Sequence, residues 1–241
     1  MHMKYEKDML DSISVNRDLS IRLVEPGKTA PHAAFHRSIP NEDEKDMKEI
    51  KKLKILALSG SPRVASSNTA LLKAVAVLAS PNVEILVYAK VKEYPIFDPD
   101  SANTNEPAVV IEFRKLVKEA DGILIACPEY VHGVPGGFKN QLDWIVGSGE
   151  LEGKLIALIN TRERSKHAPL ALVEIIKTMG GIIIEAASLT ISLGTHNIDT
   201  MSILSKEEIS KRVKMVVEIF SIEIQKFQSE SQATSKTTLS P

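Results

Sequence analysis

The sequence predicts a doubly wound α/β fold, five parallel strands in the order 2-1-3-4-5 with helices on both faces of the sheet. Three observations carry that expectation. From Leu53 onward, short apolar runs alternate with stretches of helical periodicity. The runs are continuously apolar, as strands are when helices cover both faces of a parallel sheet. No hairpin signal joins one run to the next, so each return crosses the sheet through a helix.

The elements follow in order. "LKILALSG" reads as the first strand and "NTALLKAVAVLAS" as the helix after it; "VEILVYA" and "EPAVVIEFRKLVKEA" form the second pair. "DGILIACP" with "PGGFKNQLDWIVG", then "KLIALINT" with "APLALVEIIKTMG", repeat the pattern. "IIIEAASLTIS" is expected as one fifth strand, leading into a long amphipathic helix from about Ser205 to Phe227 with Ser205 and Glu208 as its capping box. These boundaries give an arm or linker over 1–52, one domain over 53–228, and a polar, disordered tail over 229–241.

Composition narrows the function classes. A chain of 241 residues, 43% hydrophobic, is long enough for one α/β domain with a sizeable core. Its net charge of -1 leaves no global field toward nucleic acid or an anionic membrane. The single cysteine, Cys127, has no partner for an internal disulfide. No run reaches the ~18 apolar residues of a membrane span. Lys4, Glu6, Lys7 and Asp8 interrupt any secretory signal, so a cytoplasmic location is expected.

Two loops carry the chemistry. The first strand ends in "SGSPRVASSNTALL", where Gly60 permits a tight turn, Pro62 stiffens it, and Ser61, Arg63, Ser66, Ser67 and Asn68 bring donors to the start of a helix. Helix-terminal amides and the positive end of the helix dipole favour an anion there, and Arg63 adds a forked permanent charge. A helix cap by Ser67 or Asn68, with Arg63 turned to solvent, is the other account of the same residues. The loop is neither a Walker loop nor GxGxxG. After the third strand, "PEYVHGVPGGFKNQLDW" combines three glycines and two prolines with a tyrosine, a histidine and a tryptophan. In the 2-1-3-4-5 order these two loops flank the crevice where the winding reverses. A phosphate cradle facing a rigid aromatic loop suits a ligand with a phosphate tail and a flat ring.

Both loops resemble those of the NADPH-dependent FMN reductase family, a flavodoxin-like group that includes quinone, chromate and azo reductases. "GSPRVASSN" is similar to the family's Gly-Ser-x-Arg-x-x-Ser-x-Asn phosphate motif, and "PEYVHGVPGGFKNQLDW" to its Pro-Glu-Tyr, Pro-Gly, Lys-Asn and Asp-Trp element. The resemblance covers roughly residues 53 to 190. It implies FMN held at its phosphate by Ser61, Arg63, Ser66, Ser67 and Asn68. It further implies an isoalloxazine ring and ribityl chain lined by Pro128, Glu129, Tyr130, Val131, His132 and Gly133, with Thr161 and Arg162 on the fourth loop. Lys139, Asn140, Asp143 and Trp144 would brace the third helix against the loop or a second subunit. No acid-base residue is required, since the cofactors FMN and NADPH or NADH carry the chemistry.

The implied activity is hydride transfer from NAD(P)H to FMN, then electron transfer to a quinone, azo compound, metal oxyanion or free flavin. The implied assembly is a homodimer or homotetramer. A flavodoxin-like electron carrier, or a relative that has lost flavin binding, remain alternatives. The sequence departs from the family at Val131, where many members have Asn, at Gly133 in place of Ser, and in the fourth loop, "NTRERSKHA" instead of a glycine-rich segment. There Arg162, Arg164 and Lys166 meet either a phosphate of NADPH, an anionic substrate, or only water. Cys127 is read as a buried filler before a redox thiol. His132 is either a donor to flavin or quinone or a plain loop residue. His32 and His36 sit four apart in turn-rich sequence, and His196 lies in a connecting loop. No zinc-ligand or hydrolase spacing is present, and no metal is expected.

Overall fold

The computed structural model describes residues 52–194 and 198–237. The readings made for residues 1–51, for His196 and for 238–241 lie outside them. In chain order the elements are β1 (Leu53–Ser59), α1 (Ser67–Leu78), β2 (Val83–Tyr88), α2 (Pro99–Thr104), α3 (Ala108–Glu119), β3 (Gly122–Ala126), α4 (Gly136–Asp143), β4 (Leu155–Asn160), α5 (His167–Thr178), β5 (Ile182–Ile183), β6 (Leu189–Thr190), α6 (Thr200–Leu204) and α7 (Glu207–Thr237).

The sheet has the predicted order, β2-β1-β3-β4-β5, and every pairing is parallel. Because β2 pairs outward and β3 returns on the far side of β1, the loops after β1 and β3 part company and open a crevice at the carboxyl edge. Alternate residues of β1 feed two separate cores. Leu53, Ile55 and Ala57 face α1, α6 and α7, whereas Leu56 and Leu58 face α3, α4 and α5. Phe113, Phe138 and Phe220 are fully buried anchors in these layers, each contributing about 1.5–3 kcal/mol through burial. Gly122 opens β3 beneath α7: a β-carbon there would lie 2.5 Å from Ile224 Cδ1 and 2.9 Å from Phe220 Cζ. A bare backbone is what lets the long helix settle on the sheet.

Four features depart from the expected layout. The fifth strand is broken, with β5 and β6 both pairing to β4 on either side of a 3₁₀ turn at Glu185–Ala187. Glu-Ala-Ala is poor strand material, and the Ser188 side chain keeps the ladder satisfied by accepting the Leu158 amide at 3.0 Å. The expected capping box at Ser205 does not form. Ser205 instead closes α6, a short helix ahead of the expected one, and donates its hydroxyl back to the Ser202 carbonyl at 3.1 Å; the long helix then begins at Glu207. α2 is additional, and its signal is local: Asp98 accepts from the Asp100 amide and Ser101 hydroxyl, with Pro99 at the first helical position. Finally, α7 continues to Thr237, so the tail placed at 229–241 is helical that far. Residues 228–237 hold neither Gly nor Pro, and once nucleated a helix adds residues cheaply until such a breaker arrives. Among the described residues no helix is long and apolar enough to cross a membrane.

Candidate functional site

The loop after β1 is shaped by one contact. Gly60 donates its amide to the Ala126 carbonyl at 2.9 Å, which draws the turn against β3. A β-carbon on Gly60 would sit 2.6 Å from Cys127 Sγ and 3.1 Å from Phe138 Cδ1, so only glycine fits. Cys127 is correspondingly buried, donates weakly to the Pro128 carbonyl at 3.4 Å, and burial pushes its thiol up to about 12. At neutral pH it is protonated and unreactive, a packing residue as the composition suggested.

Beyond Gly60 the chain enters α1 through a sequence of hydroxyls. Ser59 and Thr69 share a hydrogen bond of 2.7 Å, and the Arg63 amide donates to Ser61 Oγ at 3.3 Å. Ser66, not Ser67 or Asn68, is the cap, accepting the Thr69 amide at 3.3 Å. That geometry leaves the amides of Ser67 and Asn68 heading the helix without an intrahelical acceptor. No acidic residue occupies the first turn of α1, so nothing competes with an incoming anion. Arg63 and Val64 are exposed beside it, while Ser61 and Asn68 are buried. The buried Thr161, at the end of β4, donates to Asn68 Oδ1 at 3.3 Å. The first and fourth loops are thereby joined through two side chains 93 positions apart.

The loop after β3 begins with a two-residue hairpin. Tyr130 and Gly133 exchange amide–carbonyl bonds of 3.0 Å in both directions, with Val131 and His132 at φ 50° and 57° between them. Both dihedrals lie in the left-handed region, which a β-branched residue resists. Val131 is 99% exposed and so recovers nothing by packing. Val131→Asn is expected to stabilise the chain by about 1 kcal/mol, since asparagine tolerates this region; a rise in thermal midpoint checks it, and an unchanged or lower midpoint denies the strain.

Glu129 ties two loops together. Its Oε2 accepts the His167 amide at 2.7 Å and the Ala168 amide at 2.9 Å, fastening the third loop to the first turn of α5. The Ala168 amide above all, with that of His167, holds the Glu129 carboxyl below its ordinary range. A lowered native pKa stabilises the fold above the unfolded value, about 4.3, and that contribution disappears as pH falls through the native value. The stability gap between the parent and Glu129→Gln is therefore expected to be widest near neutrality and to shrink below pH ~4.3. Thermal midpoints across acid pH measure it.

α4 is braced as the sequence implied, though inside one chain. Asn140 accepts the Phe97 amide at 2.7 Å, and Asn140 and Trp144 both donate to the Pro95 carbonyl, at 2.8 and 2.9 Å. Lys139 pairs with Asp143 one turn on. The Trp144 indole is buried and meets Phe97 edge-on, so it is not a surface for a second subunit. The fourth loop is organised by Asn160, which accepts the Arg162 amide at 3.2 Å and donates to the Ser165 carbonyl at 3.0 Å. Arg162, Arg164 and Lys166 are exposed on it.

A cavity of about 680 Å³ lies elsewhere, between α5 and the β4–β5–β6 edge, lined mainly by apolar residues such as Leu158, Leu172 and Leu189. It marks where the broken fifth strand covers α5 incompletely. Its polar lining is Asn160, Lys177, Glu185, Ser188 and Thr190.

The sequence profile of the NADPH-dependent FMN reductase family matches residues 53–196. The chain is 33% identical over 95 residues to a quinone reductase of Escherichia coli K12, an overlap of 39% of this chain and 50% of the relative. It is 40% identical over 95 residues to an NADPH:quinone oxidoreductase of Arabidopsis thaliana, covering 38% and 48%. The chain thus spans about half the length of the curated relatives it matches. Among solved structures, FerB, a flavoenzyme NAD(P)H:(acceptor) oxidoreductase from Paracoccus denitrificans, superposes with a TM-score of 0.59 at 22% identity, over 73% of this chain and 98% of that one. At that identity the likeness is one of fold.

Proposed function

The chain belongs to the NADPH-dependent FMN reductase family, and from that footing we propose that it is an FMN-binding NAD(P)H oxidoreductase acting on a small-molecule acceptor of the quinone type. The observation that supports this most is the joining of three loops at one edge of the sheet: Gly60 against Cys127, Asn68 with Thr161, and Glu129 on α5. When bound, FMN supplies the redox chemistry, taking a hydride from NAD(P)H and releasing electrons to the acceptor.

The donor set fits such a ligand. Ser61, Arg63, Ser66, Ser67 and Asn68 hold the phosphate, with the dipole of α1 behind them and no carboxylate in its first turn. Pro128, Tyr130 and the hairpin through Val131, His132 and Gly133 face the ring, held still by the paired bonds of Tyr130 and Gly133. Glu129 contributes by fixing that hairpin to α5. Thr161 orients Asn68, and Arg162 on the neighbouring loop offers charge to an anionic group of NAD(P)H or the acceptor. Azo compounds, metal oxyanions and free flavin are the other acceptors that electrons from a reduced flavin would reach. A homodimer or homotetramer in the cytoplasm completes the reading.

Purified protein tests it. A yellow preparation that oxidises NADPH only when a quinone is added supports the reading. A yellow preparation inert toward NADPH and NADH points instead to an electron carrier, and a colourless one that takes up no FMN removes flavin from the account.

A further inference from the structure

We propose that Glu129, His132 and His167 form a binding site for a divalent cation of the zinc class, bridging the hairpin after β3 to the start of α5. One carboxylate oxygen and one ring nitrogen from each histidine all lie within 4.8 Å of one another. One pair is already at ligand spacing: His132 Nδ1 and Glu129 Oε1 are 3.4 Å apart, against about 3.3 Å between ligand atoms on a tetrahedral ion with bonds near 2.05 Å. The two imidazoles approach edge-on, with centroids 4.6 Å apart and planes at 74°, and a nitrogen of each lies within 4.8 Å of the other and of the carboxylate.

The carboxylate is oriented for the task. Its Oε2 is taken by the His167 and Ala168 amides, and Oε1 is left on the side of His132. Hydrogen bonds of that kind fix a ligand's direction and help hold a metal. The turn at Val131 and His132, in the left-handed region at both positions, is what folds His132 back over Glu129. Both histidines are exposed, so water completes the coordination and the ion exchanges with solvent. Two imidazoles and one carboxylate suit zinc, copper or nickel and not magnesium, which prefers oxygen ligands. The positive end of α5, with Arg164 and Lys166 nearby in sequence, opposes a cation and sets the expected affinity at micromolar strength. A bound ion would cross-link the third loop to the fourth. The site draws on positions 129, 132 and 167, a spacing that no sequence motif announces.

The test uses the tag-free full chain carrying His32→Ala and His36→Ala, which removes the other histidine pair of the sequence. Zinc sulfate is titrated against a chromophoric chelator, and the thermal midpoint is followed with and without zinc or magnesium. One zinc per chain is expected at low-micromolar Kd, raising the midpoint, with magnesium inert. His132→Ala and His167→Ala should each weaken zinc at least about tenfold while leaving the metal-free midpoint within ~1 °C of the parent, as befits exposed side chains. Zinc binding of unchanged strength in His132→Ala or His167→Ala overturns the proposal, as does a parent that takes up no zinc at about 100 µM, where a micromolar site is saturated.

Discussion

Gly60→Ala is expected to destabilise the chain by about 3 kcal/mol, the upper range for a forced overpacking. The new methyl has nowhere to go. It would stand 2.6 Å from Cys127 Sγ, 3.0 Å from Cys127 Cβ and 3.1 Å from Phe138 Cδ1, all of them buried. Relief requires the turn to lift from β3, which would also sacrifice the 2.9 Å bond from the Gly60 amide to the Ala126 carbonyl. Urea unfolding should show a lower midpoint with an unchanged slope. Adding Cys127→Ala should restore part of the loss by removing the sulfur, and only part, because the β-carbon at 3.0 Å remains. A Gly60→Ala chain as stable as the parent would mean that the two loops do not approach as described.

The second large effect concerns ligand affinity. Arg63→Ala is expected to weaken FMN by about 10- to 100-fold, the equivalent of one charge-assisted hydrogen bond of roughly 1.5–3 kcal/mol. Stability should barely change, because Arg63 is exposed and surface substitutions away from packing usually shift it by under ~0.5 kcal/mol. Arg63→Lys should recover only part of the affinity, since an ammonium cannot present a planar fork to a phosphate. Quenching of flavin fluorescence on titration gives the dissociation constants. Equal FMN affinity in the parent and Arg63→Ala would remove Arg63 from the phosphate site, and a matched titration with riboflavin separates phosphate recognition from ring recognition.

What could be read in advance follows a physical division. β1 to β4 and α1, α3, α4 and α5 lie where the apolar runs and periodicities put them, because each is bounded by its own turn residues and buried on a defined face. The broken fifth strand is harder to see. Ile182–Ile184 and Leu189–Ile191 are both strand-like, and only the Glu-Ala-Ala between them hints that the chain turns. The join between α6 and α7 misleads for a related reason: Ser205 and Glu208 have capping spacing, but Asp199 begins a helix six residues earlier and claims Ser205 as its end.

In the site, the loops themselves were legible from their glycines, prolines and hydroxyls. The partners were not. That Thr161 would reach Asn68, that Glu129 would cap α5, and that His132 would meet His167 all depend on distant segments meeting in space. Each of those side chains has a plausible local role that sequence alone favours.

The interrupted fifth strand also bears on how the molecule keeps to itself. A long unpaired strand at the margin of a sheet is a template on which foreign chains polymerise. Here one margin is cut into two dipeptides with a helical turn between them, too short and too crooked to seed a growing fibril. At the opposite margin β2 is longer, but it carries the charge of Glu84 outward. Among the described residues, one flank is thus too broken to extend and the other is interrupted by a charge.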